Sequence, residues 1–127
     1  MKRQVVVEDW MTPLPYTLAP TDSVEQATAL LREHGVRHLP VVVEGGVVGI
    51  VSERDLFVAS RFANTHGMKV EVIMEPEPYI VTRSTPLCEV ARTMESKRYG
   101  AAVVVEDGCL VGVFTAVDGL RALSEES

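Results

Sequence analysis

Two short stretches of the chain pair a hydroxyl residue with an acid three positions later. GIVSERDL at 49–56 carries Ser52 and Asp55, and GVFTAVDG at 112–119 carries Thr115 and Asp118. Two chemistries fit that spacing. Ser or Thr followed three residues on by an acid is the sign of a capping box, in which side chains and backbone N–H groups at a helix start satisfy each other. The same pair can also place a hydroxyl and an acceptor-only carboxylate beside a helix N-terminus, an edge suited to a polar or anionic ligand. For one copy, capping is the simpler reading. A second copy behind the same Gly and two apolar residues points to a pair of ligand sites, and the two roles are compatible.

Few other residues compete for chemistry. His34, His38, His66, Cys88 and Cys109 show no metal-ligand spacing. No nucleophile has an adjacent base, and no Gly-rich loop carries a phosphate-binding Lys; a Ser52–His38 pair would still need an orienting acid and an oxyanion hole. The chain is therefore expected not to be an enzyme and to use no catalytic residue, catalytic cofactor or metal. His34 and His66 read as helix-end residues, and the two cysteines as buried thiols in a reducing compartment.

At 127 residues the chain is one domain, or two subdomains sharing a core. Its 46% hydrophobic and 24% charged residues are those of an ordinary globular domain. The net charge of -6 disfavours binding to nucleic acid or an anionic membrane surface, both of which call for basic patches. Lys2 and Arg3 precede only three valines before Glu8 and Asp9, short of the roughly 7–15 apolar residues of a signal peptide. No stretch reaches the ~18 apolar residues of a membrane span, so a cytoplasmic location is expected.

The elements that must position the two motifs come from a repeat. When Met11 is laid on Met74, Pro13 meets Pro76, Pro15 meets Pro78 and Tyr16 meets Tyr79. Without a gap, Val41 and Val42 then fall on Val104 and Val105, Gly45 on Gly108, Gly49 on Gly112, and Asp55 on Asp118. This defines two copies of one unit, 7–66 and 70–124. In the first, Tyr16–Leu18 reads as a short strand. Asp22 then caps a helix with Glu25 closing the box, Val24, Ala27, Leu30 and Leu31 recur at helical spacing, and Gly35 ends it. RHLPVVV and VVGIVS flank Glu44, Gly45 and Gly46 as a hairpin, and Ser52 opens a second helix through about Ala63 that carries Leu56, Phe57, Ala59 and Phe62. In the second copy Thr85 with Pro86 at the first helical position starts the matching helix, whose inner face is Leu87, Val90, Ala91 and Met94. The fold class is α+β: two β-α-β-β-α repeats, each too small to bury much alone, expected to pack about a pseudo-two-fold axis.

The order WMTPLPYTLAPTDSVEQA, GVRHLPVVVEGGVVGIVSERDL, then a second round, resembles a tandem pair of cystathionine-beta-synthase (CBS) domains, a Bateman module. The resemblance covers nearly the whole chain. It implies a stand-alone regulatory module that binds an adenosine-containing ligand, AMP, ADP, ATP or S-adenosylmethionine, in clefts between the repeats. It also implies a homodimer formed through the helices and an effector protein that the sequence does not name.

Within that resemblance each residue has a chemical part. Asp55 and Asp118 suit the two ribose hydroxyls, and Ser52 and Thr115 the sugar or phosphate. The base slot would lie between Tyr16, Thr17 and Leu18 and the facing His38, Leu39 and Pro40; in the second repeat it would lie between Tyr79, Ile80 and Val81 and the facing Ala101, Ala102 and Val103. Arg37, His38 and Arg54 give the first repeat a positive rim where the second has Gly100, Ala101 and Val117, so two sites of similar shape and different affinity are expected. Arg98 and Lys97 could add charge. Trp10 reads as packing across the dimer or onto the partner unit rather than binding ligand. The competing expectation is a structural dimerisation module with one or both clefts empty.

Overall fold

The computed structural model describes residues 4–126, with side chains through Glu125, so Lys2 and Arg3 lie outside the described residues. It is mixed α+β, and the second repeat repeats the element order of the first. The compact units are offset from the sequence repeats. One is Tyr16–Pro78; the other joins the segment ending at Pro15 to the residues from Tyr79 onward.

In the Tyr16–Pro78 unit, helix α1 (Val24–His34) precedes the strands β2 (His38–Val43) and β3 (Gly46–Ser52) and helix α2 (Glu53–Phe62). In the other, β1 (Thr12–Pro13) and β4 (Ile80–Thr82) flank β6 (Cys109–Thr115) and β5 (Ala101–Glu106) in the order β1-β6-β5-β4, with α3 (Leu87–Lys97) and α4 (Ala116–Glu126). Both hairpins turn on two consecutive positive φ values, Glu44 and Gly45 in one and Asp107 and Gly108 in the other. That is the twist two-residue hairpins require. Both carry a register shift at the same place, between Val41 and Val42 and between Val104 and Val105.

The expected first strand at Tyr16–Leu18 shrinks to a single parallel bridge between Leu18 and Val41, in which the Leu18 N–H donates to Pro40 and its carbonyl accepts from Val42. Pro15 and Pro20 bracket this piece, and prolines shorten any ladder they enter. Its counterpart, β4, pairs fully with β5 from Ile80 to Thr82. Each unit closes around its own core: Leu18, Val24, Ala27, Leu31, Leu39, Val41, Val51, Leu56 and Val70 in one; Val7, Met11, Val81, Val90, Met94, Ala102, Val104 and Phe114 in the other.

Several local expectations shift by one position. Ser23, not Asp22, caps α1: its Oγ accepts from the Gln26 N–H at 3.0 Å, and the Gln26 side chain accepts from the Ser23 N–H at 2.7 Å. The Asp22 carboxylate is drawn off to the Ala19 N–H, and Glu25 to the Gly67 N–H and the His66 ring. Pro86 is the N-cap of α3 rather than its first residue, and the Leu87 N–H it leaves exposed donates to the Val5 carbonyl. Ala91 faces solvent together with Cys88, one turn apart on the outer side of α3. Cys109 sits beside the hairpin turn, so both thiols are exposed rather than buried.

The glycine of each motif has a steric cause. A Cβ on Gly49 would lie 2.5 Å from the Met74 sulfur and 2.9 Å from the Glu75 carbonyl; one on Gly112 would lie 2.5 Å from the Met11 sulfur and 3.0 Å from the Thr12 carbonyl. Each repeat's Met-x-Pro segment is a strap across a β-strand, held at Glu75 by reciprocal backbone bonds with Ile50 of 2.9 and 3.0 Å. The sulfur could move, but the carbonyl is fixed by that pairing. Gly49→Ala and Gly112→Ala should therefore each cost about 1–3 kcal/mol, as overpacking typically does. The check is a lower urea midpoint for each variant; an unchanged midpoint would show that the straps yield.

Candidate functional site

In the Tyr16–Pro78 unit the structure gathers most of the first-repeat candidates at one end of the hairpin. His38 is directly opposite Ser52 across β2 and β3. The Tyr16–Leu18 segment runs beside β2, where Pro40 accepts the Leu18 N–H. Ser52 caps α2 by a complete reciprocal box: its Oγ accepts from the Asp55 N–H at 3.0 Å, and Asp55 Oδ2 accepts from the Ser52 N–H at 2.9 Å. Such a cap contributes about 1 kcal/mol. Capping therefore uses one carboxylate oxygen. Among the described residues Asp55 Oδ1 has no hydrogen-bond partner.

The helix start is less open than the sequence suggests. The Glu53 N–H donates to the Arg37 carbonyl at 2.8 Å and the Asp55 N–H to Ser52, which leaves Arg54 as the first-turn residue whose amide can meet a ligand. Arg37 and Arg54 are exposed, with no ion-pair partner among the described residues. His38 Nδ1 is buried without a hydrogen-bond partner. Burial pushes the His38 pKa below its ordinary value, with Arg37 adding to the shift and Asp55 and Glu53 opposing it. An imidazole nitrogen left unsatisfied, close enough to Arg37 and Asp55 to feel their charges, forms with the half-used carboxylate a polar edge with unspent bonding capacity among the described residues. Thr17 is half-buried, and Tyr16, about half exposed, stacks on His34 with centroids 3.6 Å apart.

The second repeat uses the same frame differently. Ala101 is opposite Thr115, Ile80 pairs with Val103, and Tyr79 accepts the Val103 N–H while its ring stacks on Tyr99 at 5.3 Å. Asp118 is buried, at 7% exposure. Its Oδ2 accepts from the Thr115 N–H at 2.9 Å and from the Thr115 hydroxyl at 3.4 Å; its Oδ1 accepts from the Thr12 hydroxyl at 3.2 Å and lies 3.5 Å from Arg121 Nη2. Arg121 also donates to the Trp10 carbonyl at 2.9 Å and rests over the Trp10 ring. Trp10 thus packs within its own unit. Thr12, Arg121 and Trp10 are the site residues that motif reading missed. In the repeat alignment they fall on Glu75, Val58 and Ile73, and those mismatches are the signal that could have exposed them.

Residues 7–61 and 70–125 each match the CBS domain family. The chain belongs to that family. It is 40% identical over 103 residues to the inosine-5′-monophosphate dehydrogenase of Korarchaeum cryptofilum (strain OPF8), a match covering 80% of this chain and 21% of that protein. Among solved structures, it is similar to the CBS domain pair of protein MJ0100 in complex with 5′-methylthioadenosine and S-adenosyl-L-methionine. There the TM-score is 0.90 and the identity 27%, over 98% of this chain and 100% of that one. It is also similar to CBSX2 of Arabidopsis thaliana in complex with AMP, with a TM-score of 0.82 and 32% identity over 94% and 96% of the two chains.

His38 makes stability depend on pH. Because its folded pKa lies below 6.5, the unfolded chain takes up the proton first as pH falls, and stability declines below that value. Melting temperatures followed from about pH 7.5 to 5.5 should fall more steeply for the wild type than for His38→Gln, which has no proton to take up in this range. Parallel curves would show that the histidine is protonated equally in both states.

Proposed function

We propose that the chain is a non-enzymatic regulatory module that binds an adenosine-containing ligand at the Asp55 edge. The observation that carries this reading is the free Oδ1 of Asp55, next to the capped Ser52, the unsatisfied His38 Nδ1 and the unpaired Arg37 and Arg54. A ribose offers two adjacent hydroxyl donors to a carboxylate that can still accept them. Arg37 and Arg54 give a phosphate its counter-charge in a chain that is otherwise net acidic. Beside this edge Tyr16 and Thr17 are the segment's residues open to a base, whereas Leu18 and Pro40 are buried behind them. The AMP complex of CBSX2 and the S-adenosylmethionine complex of MJ0100 support the ligand class.

Sensing then follows from differential affinity: a ligand that prefers one arrangement of the module shifts the population toward it and changes the contacts open to an effector protein. A homodimer through the helices is part of this reading, supported by Phe57 and Phe62 on α2 and Val117 and Leu120 on α4, which are 61%, 85%, 63% and 65% exposed. On each helix the pair of large exposed apolar side chains marks a surface suited to such contacts. The same side chains favour the second reading, a dimerisation module that needs no ligand.

Calorimetric titration with AMP, ATP, S-adenosylmethionine and NADH separates the two. Binding by at least one adenosine ligand is expected, with affinity roughly tenfold or more lower in Asp55→Asn, since a hydrogen bond to a charged group contributes about 1.5–3 kcal/mol. Asn keeps an oxygen for the Ser52 N–H, so the helix cap survives the change. Heat from none of the four ligands would overturn the sensor reading in favour of the scaffold.

A further inference from the structure

The two Asp edges share a backbone frame, yet their carboxylates are in different states of use. Asp118 accepts from three donors besides the arginine: the Thr115 N–H and hydroxyl on Oδ2 and the Thr12 hydroxyl on Oδ1, with Arg121 Nη2 alongside. Among the described residues, Asp55 accepts from the Ser52 N–H alone. The difference comes from the strap and the second turn of the helix. At the strap position the alignment puts Thr12 against Glu75, and on the helix it puts Arg121 against Val58. Thr12 brings a hydroxyl donor to Asp118, whereas Glu75, paired through its backbone to Ile50, turns its carboxylate to the Glu77 N–H.

Resting on the function proposed above, we infer that Thr12 and Arg121 lock the Asp118 edge, so that each chain takes up one adenosine ligand, at Asp55. A ribose arriving at Asp118 would have to replace donors already in place. The exchange of one hydroxyl donor for another on the buried Asp118 carboxylate yields no net hydrogen bond. At the half-exposed Asp55, Oδ1 is held by no protein donor among the described residues, so a ribose has only water to displace. Arg121 is further anchored by the Trp10 carbonyl and ring, so its departure would break those contacts too. The lock converts a ligand-binding motif into a structural one without altering the motif itself, because Thr115 and Asp118 are both retained.

The test is a stoichiometry joined to a ligand-free mutant cycle. Titration of the full chain with AMP, and in parallel with S-adenosylmethionine, should give one site per chain, weakened roughly tenfold or more in Asp55→Asn and kept within about twofold in Asp118→Asn, a change that ordinary context effects produce. In ligand-free thermal melts, Thr12→Val and Arg121→Ala should each lower the melting temperature in the wild-type background and much less in the Asp118→Asn background. Two sites per chain, or binding lost in Asp118→Asn with the fold intact, overturns the lock. Additive effects of Thr12→Val and Asp118→Asn overturn it independently of any ligand. If no ligand binds, the functional reading fails, and the mutant cycle still decides whether Thr12 and Arg121 hold Asp118.

Discussion

The close crossing of a Met-x-Pro strap over a glycine is the contact from which the rest of the structure follows. At Gly49 the Met74 side chain and the Glu75 carbonyl stand where any side chain would go, and the Met11 side chain and the Thr12 carbonyl do the same at Gly112. Because each crossing is made close to the strand that ends in Ser52 or Thr115, it fixes the approach to the helix start three residues further on. The strap also decides which chain segment completes which core. Residues up to Pro15 close the unit that carries the second repeat, and Lys69 to Pro78 close the unit that carries the first. Val7 and Val70, at matching positions of the two repeats, are both fully buried in the units their straps complete. A fold built this way cannot be cut at the repeat boundary without leaving each half short of one sheet edge and one core valine.

The same crossing lets one motif pattern hold its acid in two different ways. The strap residue after the methionine pairs with the same strand in each unit, Thr12 with β6 and Glu75 with β3, so its identity is a chemical variable on a constant frame. Thr at that position adds a donor and satisfies the acid; Glu adds none. One turn along the helix the choice between Arg121 and Val58 works in the same direction. Charge follows suit: the edge with the free carboxylate oxygen has its cations at the rim, on Arg37 and Arg54, and the saturated edge has its cation drawn in against Asp118 and Trp10.

Much of this was legible from residue order because the signals were stereochemical. Asp107 and Gly108 announce a turn with two positive φ values, Gly35 a left-handed helix end, and the spacing of Val24, Ala27 and Leu31 a buried helical stripe. Where neighbouring residues could each do the same work, the sequence left the choice open. Asp22 and Ser23 are both good caps, and only the pull of the Ala19 N–H on Asp22 settles it. Tyr16–Leu18 has strand composition, but two prolines leave it room for a single bridge. Burial was harder to infer. Cys88 and Ala91 are small and apolar enough for a core, and their exposure reflects which side of α3 carries Val90 and Met94.

The acid that both motifs share shows how far a motif can be read. Ser or Thr with Asp three residues later determines a helix start wherever it occurs, because its backbone partners come with it: the Ser52 N–H and the Thr115 N–H are bound alike at 2.9 Å. Ligand capacity is a different quantity. It depends on the carboxylate oxygen left over, and that is governed by residues far away in the chain, Thr12 on a strap more than one hundred positions before Asp118. Capping is thus a local property that sequence alone can establish, while binding at the same atoms is a tertiary one. Two edges built on the same hydroxyl-and-acid spacing can therefore differ in the acceptor capacity they leave open through donors brought in from outside it, here Thr12 and Arg121.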